Sequence, residues 1–98
     1  MADITIANMV ADFLLCESRD RGENLTNLKL QKLLYYAQAW YLALYNVALF
    51  EEDFQAWVHG PVLYSQYCRF CDWKWRPILC EDLQKPAGLG EQVEAHLS

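Results

Sequence analysis

The stretch that decides the fold lies in the first half of the chain, where residues 25–42 read Leu-Thr-Asn-Leu-Lys-Leu-Gln-Lys-Leu-Leu-Tyr-Tyr-Ala-Gln-Ala-Trp-Tyr-Leu. Its apolar residues recur at the three- and four-residue spacing of an α-helix, which predicts a helix over about Asn27–Tyr45. Thr26 or Asn24 can cap its start, and Asn46 favours its end. Because the helix is apolar on nearly all sides, we expect it to be surrounded by protein.

Shorter helical patterns flank this central segment on both sides. They predict helices from Asp3 or Thr5 to about Glu17, from Pro61 to Trp73–Trp75, and from Leu89 or Gly90 to Leu97. Residues 54–58 alternate loosely and allow one short extended segment before the Gly60-Pro61 turn. The predicted class is all-α, a small helical bundle around a central buried helix.

Composition restricts the chain to one small folded domain over residues 1–98. Hydrophobic residues make up 54%, which excludes global disorder. The net charge is −5 and no block of the sequence is basic, so we expect no nucleic-acid binding.

The chain shows no signal peptide, and we expect a cytoplasmic protein that does not enter a membrane. Its longest charge-free run, Leu33 to Phe50, is 18 residues long and therefore has to be weighed as a membrane span. The run contains Gln38, Asn46 and several tyrosine and tryptophan residues. These scattered polar groups favour a buried helix of a soluble bundle.

The four cysteines and the histidines carry no recognisable catalytic or metal-binding spacing. Cys68-x-x-Cys71 lacks the second close pair that a zinc site needs, and Cys16 and Cys80 are isolated. Ordinary thiols are the favoured interpretation over a metal site or a redox pair. We expect no enzyme activity, no cofactor and no metal; a small hydrolase that uses Cys68 or Cys71 with His59 is the least favoured alternative.

Cations and aromatic rings are the features that point to a partner. Lys29 and Lys32 lie near the positive end of the helix dipole, which suggests a carboxylate partner in the domain or on another protein. Trp73 and Trp75, about 200° apart on a helix, cannot both face one core. Packing alone is the favoured interpretation for these rings and for Trp57, and a partner surface is the alternative. The candidate partner-binding residues are Lys29, Lys32, Tyr36, Trp57, His59, Trp73 and Trp75.

Three stretches together resemble the Panacea antitoxin-domain family, which includes SocA-like proteolytic adaptors and GepA-like phage-associated proteins. They are residues 7–14, residues 25–42, and the run from Leu49 through Ala56-Trp57-Val58-His59-Gly60-Pro61 to Tyr67. Their order and spacing agree with the family over about residues 4–70. From Arg69 onward the likeness is much weaker, and the sequence ends at Ser98 before the family's Thr-His and Pro-Trp signature. It is either a natural short form or a truncated piece.

The resemblance implies an all-helical, non-enzymatic module that neutralises a cognate toxin by direct binding. Family members belong to toxin–antitoxin systems, often in prophages or mobile elements. In one branch the protein also delivers its toxin to a AAA+ protease, and such an adaptor is the alternative function. Both functions require a protein partner that recognises an exposed surface of the domain.

Overall fold

Four α-helices and one small β-hairpin form the part of the chain that the computed structural model describes, residues 4–58, 60–79 and 91–97. In chain order the elements are α1 (Ile4–Asp20), α2 (Asn27–Tyr45), β1 (Gln55–Trp57), β2 (Gly60–Val62), α3 (Tyr64–Arg69), a 3-10 helix (Cys71–Trp73) and α4 (Glu91–Leu97). The fold is therefore mainly helical, as predicted. It is not purely all-α, because β1 and β2 pair in an antiparallel sheet.

Both ends of α2 are capped as the sequence predicts. The Thr26 side-chain oxygen accepts a hydrogen bond from the Lys29 N–H at 3.3 Å, which satisfies one free donor of the first turn. Asn46 adopts the left-handed conformation with φ 57°, and its N–H bonds the Leu42 carbonyl. Short polar residues tolerate this conformation, so Asn46 ends the helix.

The first helix continues three residues beyond the predicted end at Glu17. Gly22 has φ 81°, and its N–H donates to the Arg19 carbonyl at 2.9 Å. The Glu23 N–H donates to the Ser18 carbonyl at 2.8 Å. These two bonds form a Schellman motif, which satisfies the last carbonyls of α1 and lets the polar residues of its final turn stay helical.

The extended segment predicted at residues 54–58 is confirmed as β1, but the role predicted for Pro61 is wrong. Pro61 lies in β2 opposite Ala56 and does not begin a helix. Gly60 before it has φ 122°, a conformation that residues with a Cβ rarely adopt. The chain therefore pairs as a hairpin through Gly60, and a two-stranded sheet tolerates a proline that cannot donate.

The third helix is shorter than predicted at both ends. It begins at Tyr64, where the Glu52 carboxylate accepts hydrogen bonds from the Ser65 N–H at 3.2 Å and the Ser65 hydroxyl at 2.6 Å. It ends at Arg69, because Phe70 leaves the helical conformation (φ −116°, ψ 13°) while its ring is buried in the core. The 3-10 helix that follows ends at Lys74, which has φ 55°.

The core lies between α1, the inner side of α2, and the segments that follow the hairpin. Its largest fully buried apolar side chains are Leu30, Leu34, Leu63 and Val10. Phe13, Phe50 and Phe70 complete the same cluster. Burial of apolar side chains is the main favourable term for a domain of this size, at roughly 1.5–3 kcal/mol for each large side chain.

Buried amide side chains connect α2 to the hairpin and to α3. Gln31 donates to the Asn27 side-chain oxygen at 3.0 Å and accepts the Leu63 N–H at 2.8 Å. Asn27 in turn donates to the Tyr67 carbonyl at 3.0 Å. Gln38 accepts the Leu49 N–H at 2.7 Å, which holds the loop after α2 against the helix. These bonds fix the position of the hairpin relative to α2.

The prediction that protein surrounds nearly all of the central helix is wrong, because exposed residues extend well beyond its first turns. Leu30, Leu34 and Tyr41 are buried on its inner side, whereas Tyr36 is exposed and Trp40 has 63% of its surface accessible. The described elements cover one side of α2. The opposite side of α2 stays exposed, with Leu28, Trp40 and Leu44 among its accessible side chains.

The last helix, α4, lies against α1 and α2. Leu97 is buried in the core, and the Gln92 side chain donates to the Tyr41 hydroxyl at 2.9 Å. The His96 Nε2 lies 3.0 Å from the Ala37 carbonyl, and its ring contacts Tyr41 edge-on. The predicted final helix is confirmed over Glu91–Leu97, while the start predicted at residues 89–90 lies outside the described residues.

Candidate functional site

One side of α2 is exposed and carries large apolar side chains along its whole length. We call it the outer face; it consists of Leu28, Lys29, Lys32, Tyr35, Tyr36, Trp40, Leu42 and Leu44. Surface apolar residues usually occur singly, and a contiguous apolar patch on a folded domain marks an interaction site. Aromatic side chains such as Tyr36 and Trp40 are also the type that dominates binding energy at interfaces.

A groove of about 580 Å³ runs between the start of α2 and the β-hairpin. We call it the hairpin groove; its lining includes Leu28, Lys32, Trp57, Val58, Pro61 and Tyr67. The Trp57 ring packs edge-on against Tyr67 with the ring centres 4.9 Å apart, and its N–H donates to the Gln55 side chain at 2.9 Å. The groove therefore has rigid aromatic walls.

A second groove of about 360 Å³ lies at the opposite edge of the outer face, between α2 and α4. Tyr36, Trp40 and Leu44 line it from α2, and His96 and Leu97 line it from α4. A shallower depression of about 340 Å³ lies beside Tyr35, Phe54 and the hairpin. The outer face is thus a ridge with a concave site on each side, a shape that accepts side chains from a partner.

The two charged residues of α2 are both lysines on the outer face. Within residues 4–58, 60–79 and 91–97, neither Lys29 nor Lys32 forms a salt bridge. Both lie in the first turns of α2, where the helix dipole disfavours a cation. A carboxylate partner on another protein stays a prediction for both lysines.

The structure brings together four of the predicted partner-binding residues and places Trp73 and Trp75 away from them. Lys29, Lys32 and Tyr36 share the outer face, and Trp57 joins them across the hairpin groove. The prediction for His59 lies outside the described residues.

Trp73 and Trp75 do not share a helix as the sequence predicts. Trp73 is in the 3-10 helix and packs against the core, with the Arg76 guanidinium 5.7 Å from its ring centre. Trp75 follows in a turn and exposes 80% of its surface. The reason is that the α-helix ends before Phe70. Trp73 and Trp75 therefore do not have the roughly 200° angular separation that a continuous helix would give them. Neither ring lines the grooves described above.

Several residues of this surface are not among the sequence-based candidates. Trp40 is assigned by its spacing to the same stripe as Leu30 and Leu34, yet it lies at the outer edge. Leu28 and Val58 line the hairpin groove and carry no signal of their own in the sequence. A helix that is apolar all round gives no sign of which side is left uncovered.

The structure describes three of the four cysteines. Cys16 is buried, whereas Cys68 and Cys71 are exposed near the end of α3. The pKa of the neighbouring Tyr64 is raised, chiefly by a hydrogen bond with Cys68 and then by the charge on that sulfur, with burial and Cys71 adding less. The histidine that the hydrolase alternative requires, His59, lies outside the described residues, so that alternative stays a prediction.

Two searches of the described residues complete the description of the site. No group of three or more histidine, cysteine, aspartate or glutamate residues there is placed to hold a metal ion. No helix in the same part of the chain has the length and apolar character needed to cross a membrane.

A family model described as "Antitoxin SocA-like, Panacea domain" matches residues 30–96 of the chain. The matched range covers more than half of the sequence and includes most of α2, the hairpin and α4. It therefore contains the elements that build both grooves. The comparisons with curated proteins and with solved structures give no match.

Proposed function

The chain belongs to the antitoxin SocA-like Panacea family, and on that premise we propose that it neutralises a cognate toxin by binding it directly through the outer face of α2. The observation that carries this proposal is the exposure of Leu28, Tyr36 and Trp40 on the helix that decides the fold. A helix with this composition is expected in a core. Exposure of the apolar side chains of its outer face to water is unfavourable in free energy, and burial against a partner would remove this penalty.

The proposed mechanism is occlusion of the toxin's working surface. Stable protein complexes bury roughly 1,600 Å² in total, and a few aromatic and charged anchors supply most of the energy. Tyr36, Trp40 and Trp57 would be the apolar anchors, and Lys29 and Lys32 would select an acidic contact surface. No reaction step is required of this chain, and binding in the cytoplasm beside a toxin made in the same cell is sufficient.

The Lys29→Glu/Lys32→Glu double variant tests the proposal. We expect it to weaken toxin binding about 10- to 100-fold and to reduce growth rescue when it is expressed with the toxin encoded in the neighbouring reading frame. Glutamate is favourable near a helix N-terminus, so α2 should stay helical by circular dichroism. Loss of binding therefore cannot be attributed to loss of the helix.

Lys74→Glu is the control, because it makes one Lys-to-Glu change, half of the charge change of the double variant, at an exposed position that lines neither groove. It should neutralise the toxin like the unmodified chain. If the double variant also neutralises normally, the lysines are not part of the binding surface. If the unmodified chain fails to rescue growth, the antitoxin proposal itself is wrong.

An adaptor function would require a second contact surface away from the grooves. The exposed ring of Trp75 is a candidate for it. If the chain acts as an adaptor, the half-life of the toxin in cells would be shorter with this chain than without it. The difference would disappear in a strain that lacks the protease. Unchanged toxin half-life in both strains would leave simple occlusion as the mechanism.

A further inference from the structure

Two polar side chains that line the hairpin groove, Gln31 and Trp57, are hydrogen-bonded within the protein. The Gln31 amide oxygen accepts the Leu63 N–H, and its nitrogen donates to Asn27. The Trp57 N–H is bonded to Gln55. The groove therefore offers a ligand a largely apolar interior made by Leu28, Pro61 and the rings of Trp57 and Tyr67.

Lys32 is the charged side chain in the lining of this groove. Lys29 lies one turn before it on the same exposed side of α2, and the part of the chain that the structure describes gives neither lysine a carboxylate. Two lysines three residues apart also repel each other weakly. A carboxylate placed at this rim would relieve both the repulsion and the unfavourable position near the helix dipole.

We propose that the hairpin groove is a recognition site for an acidic segment of the toxin, which inserts an apolar or aromatic side chain and pairs a carboxylate with Lys32. This inference rests on the proposed function for the identity of the partner. The volume of about 580 Å³ is in the range of sites that enclose a ligand of several side-chain groups. Charge complementarity selects an acidic occupant, because the described residues of the lining contribute the cation of Lys32 and no anion.

The ion pair would be stronger here than on an open surface. An apolar side chain that fills the groove removes water from around Lys32, and a lower effective dielectric strengthens the attraction between the two charges. The apolar anchor and the carboxylate therefore reinforce each other, and the site discriminates against a segment that has one without the other.

The probes that isolate this chemistry are N-acetyl-tryptophan, which has a ring and a carboxylate, and N-acetyl-tryptophan amide, which has the ring alone. Titration of the isotope-labelled chain by NMR should show shifts at Leu28, Lys32 and Val58, with the carboxylate probe binding about fivefold tighter than the amide. Lys32→Met should abolish that preference, and Lys74→Met should keep it. Equal affinities for the two probes, shifts located elsewhere, or no saturable binding would overturn the assignment.

A second variant connects the groove to the toxin. Val58 exposes 97% of its surface at the rim, so Val58→Asp is compatible with folding and places a repelling carboxylate at the entrance. We expect it to weaken toxin binding about tenfold, whereas the matched change Leu79→Asp, at an exposed position outside the groove lining, should have no effect.

The two proposals fail separately in this experiment. If the unmodified chain neutralises the toxin and Val58→Asp does so equally well, the groove assignment is wrong and the antitoxin function stands. If the unmodified chain does not neutralise the toxin, the antitoxin function is wrong, and the carboxylate preference of the NMR probes still decides whether the groove has the proposed chemistry. Binding of a second copy of the chain in the groove, seen as a dimer that Val58→Asp dissociates, would also overturn the toxin assignment.

Discussion

At the scale of single residues, Gln31 shows how a polar side chain positions the candidate site. It lies on the inner side of α2 with 1% of its surface exposed, and both ends of its amide are bonded. The bond to the Leu63 N–H spans 32 positions of the sequence and sets where β2 meets the helix. One wall of the hairpin groove therefore depends on a glutamine that is buried behind it.

We expect Gln31→Leu to lower the free energy of unfolding by about 2–4 kcal/mol, because it leaves the buried Leu63 N–H and the Asn27 oxygen without partners. Denaturant unfolding followed by circular dichroism measures this change. The same substitution at the exposed Gln55 should cost less than about 0.5 kcal/mol. Equal losses from the two variants would show that the buried bonds do not determine the stability.

The role of Gln31 could not be predicted from the sequence, because its partner is distant along the chain and is a backbone group. A glutamine between Leu30 and Lys32 looks like a surface residue on a helical wheel. The exposure of Lys29 and Lys32 could be predicted, since charged residues in the first turns of a helix indicate that this end reaches the surface. Local effects are readable from sequence, and contacts between distant segments are not.

At the scale of elements, α2 could be predicted to the residue because the signals for its two ends are local. The cap at Thr26 and the left-handed Asn46 each act within four residues. The region after residue 60 was harder to predict. Gly60-Pro61 fits the start of a helix and the second strand of a hairpin equally well, and the pairing of Pro61 with Ala56 decides between them.

The C-terminal cap of α2 gives a prediction with opposite outcomes for two substitutions. Asn46→Ala should lower the free energy of unfolding by about 1 kcal/mol, because alanine pays the steric cost of the left-handed conformation. Asn46→Gly should be neutral or slightly stabilising, because glycine has no Cβ. Thermal unfolding of the two variants side by side measures whether each substitution raises or lowers the stability. A loss from glycine as large as that from alanine would contradict this role for the backbone conformation.

At the scale of the whole molecule, the fold leaves one helix half covered. The chain has 98 residues, and the described elements pack on the inner side of α2. Hydrophobic periodicity predicted the mainly helical fold, although the predicted all-α class left out the paired strands. It could not predict the outer face, because an apolar helix in a core and an apolar helix at an interface have the same sequence pattern.

The charge of the whole molecule leads to a prediction about salt. The chain carries a net charge of −5, yet its proposed binding helix carries two cations. Raising the ionic strength from about 0.05 to about 0.5 M should weaken the toxin complex several-fold, since salt screens pairs at the rim. The Lys29→Glu/Lys32→Glu variant should respond much less to salt, as measured by calorimetry or surface plasmon resonance. An equal response of the two proteins would contradict an electrostatic contribution from these lysines.

The most direct test of the binding surface is hydroxyl-radical footprinting of the chain alone and in complex with its toxin. If the toxin binds the outer face of α2, oxidation of Tyr36, Trp40 and Trp57 falls several-fold in the complex. Trp75, exposed outside both grooves, serves as the internal reference and should be oxidised equally in the two states. Protection of Trp75 with no protection of Tyr36 and Trp40 would show that the toxin binds elsewhere, and the outer face of α2 would not be its binding surface.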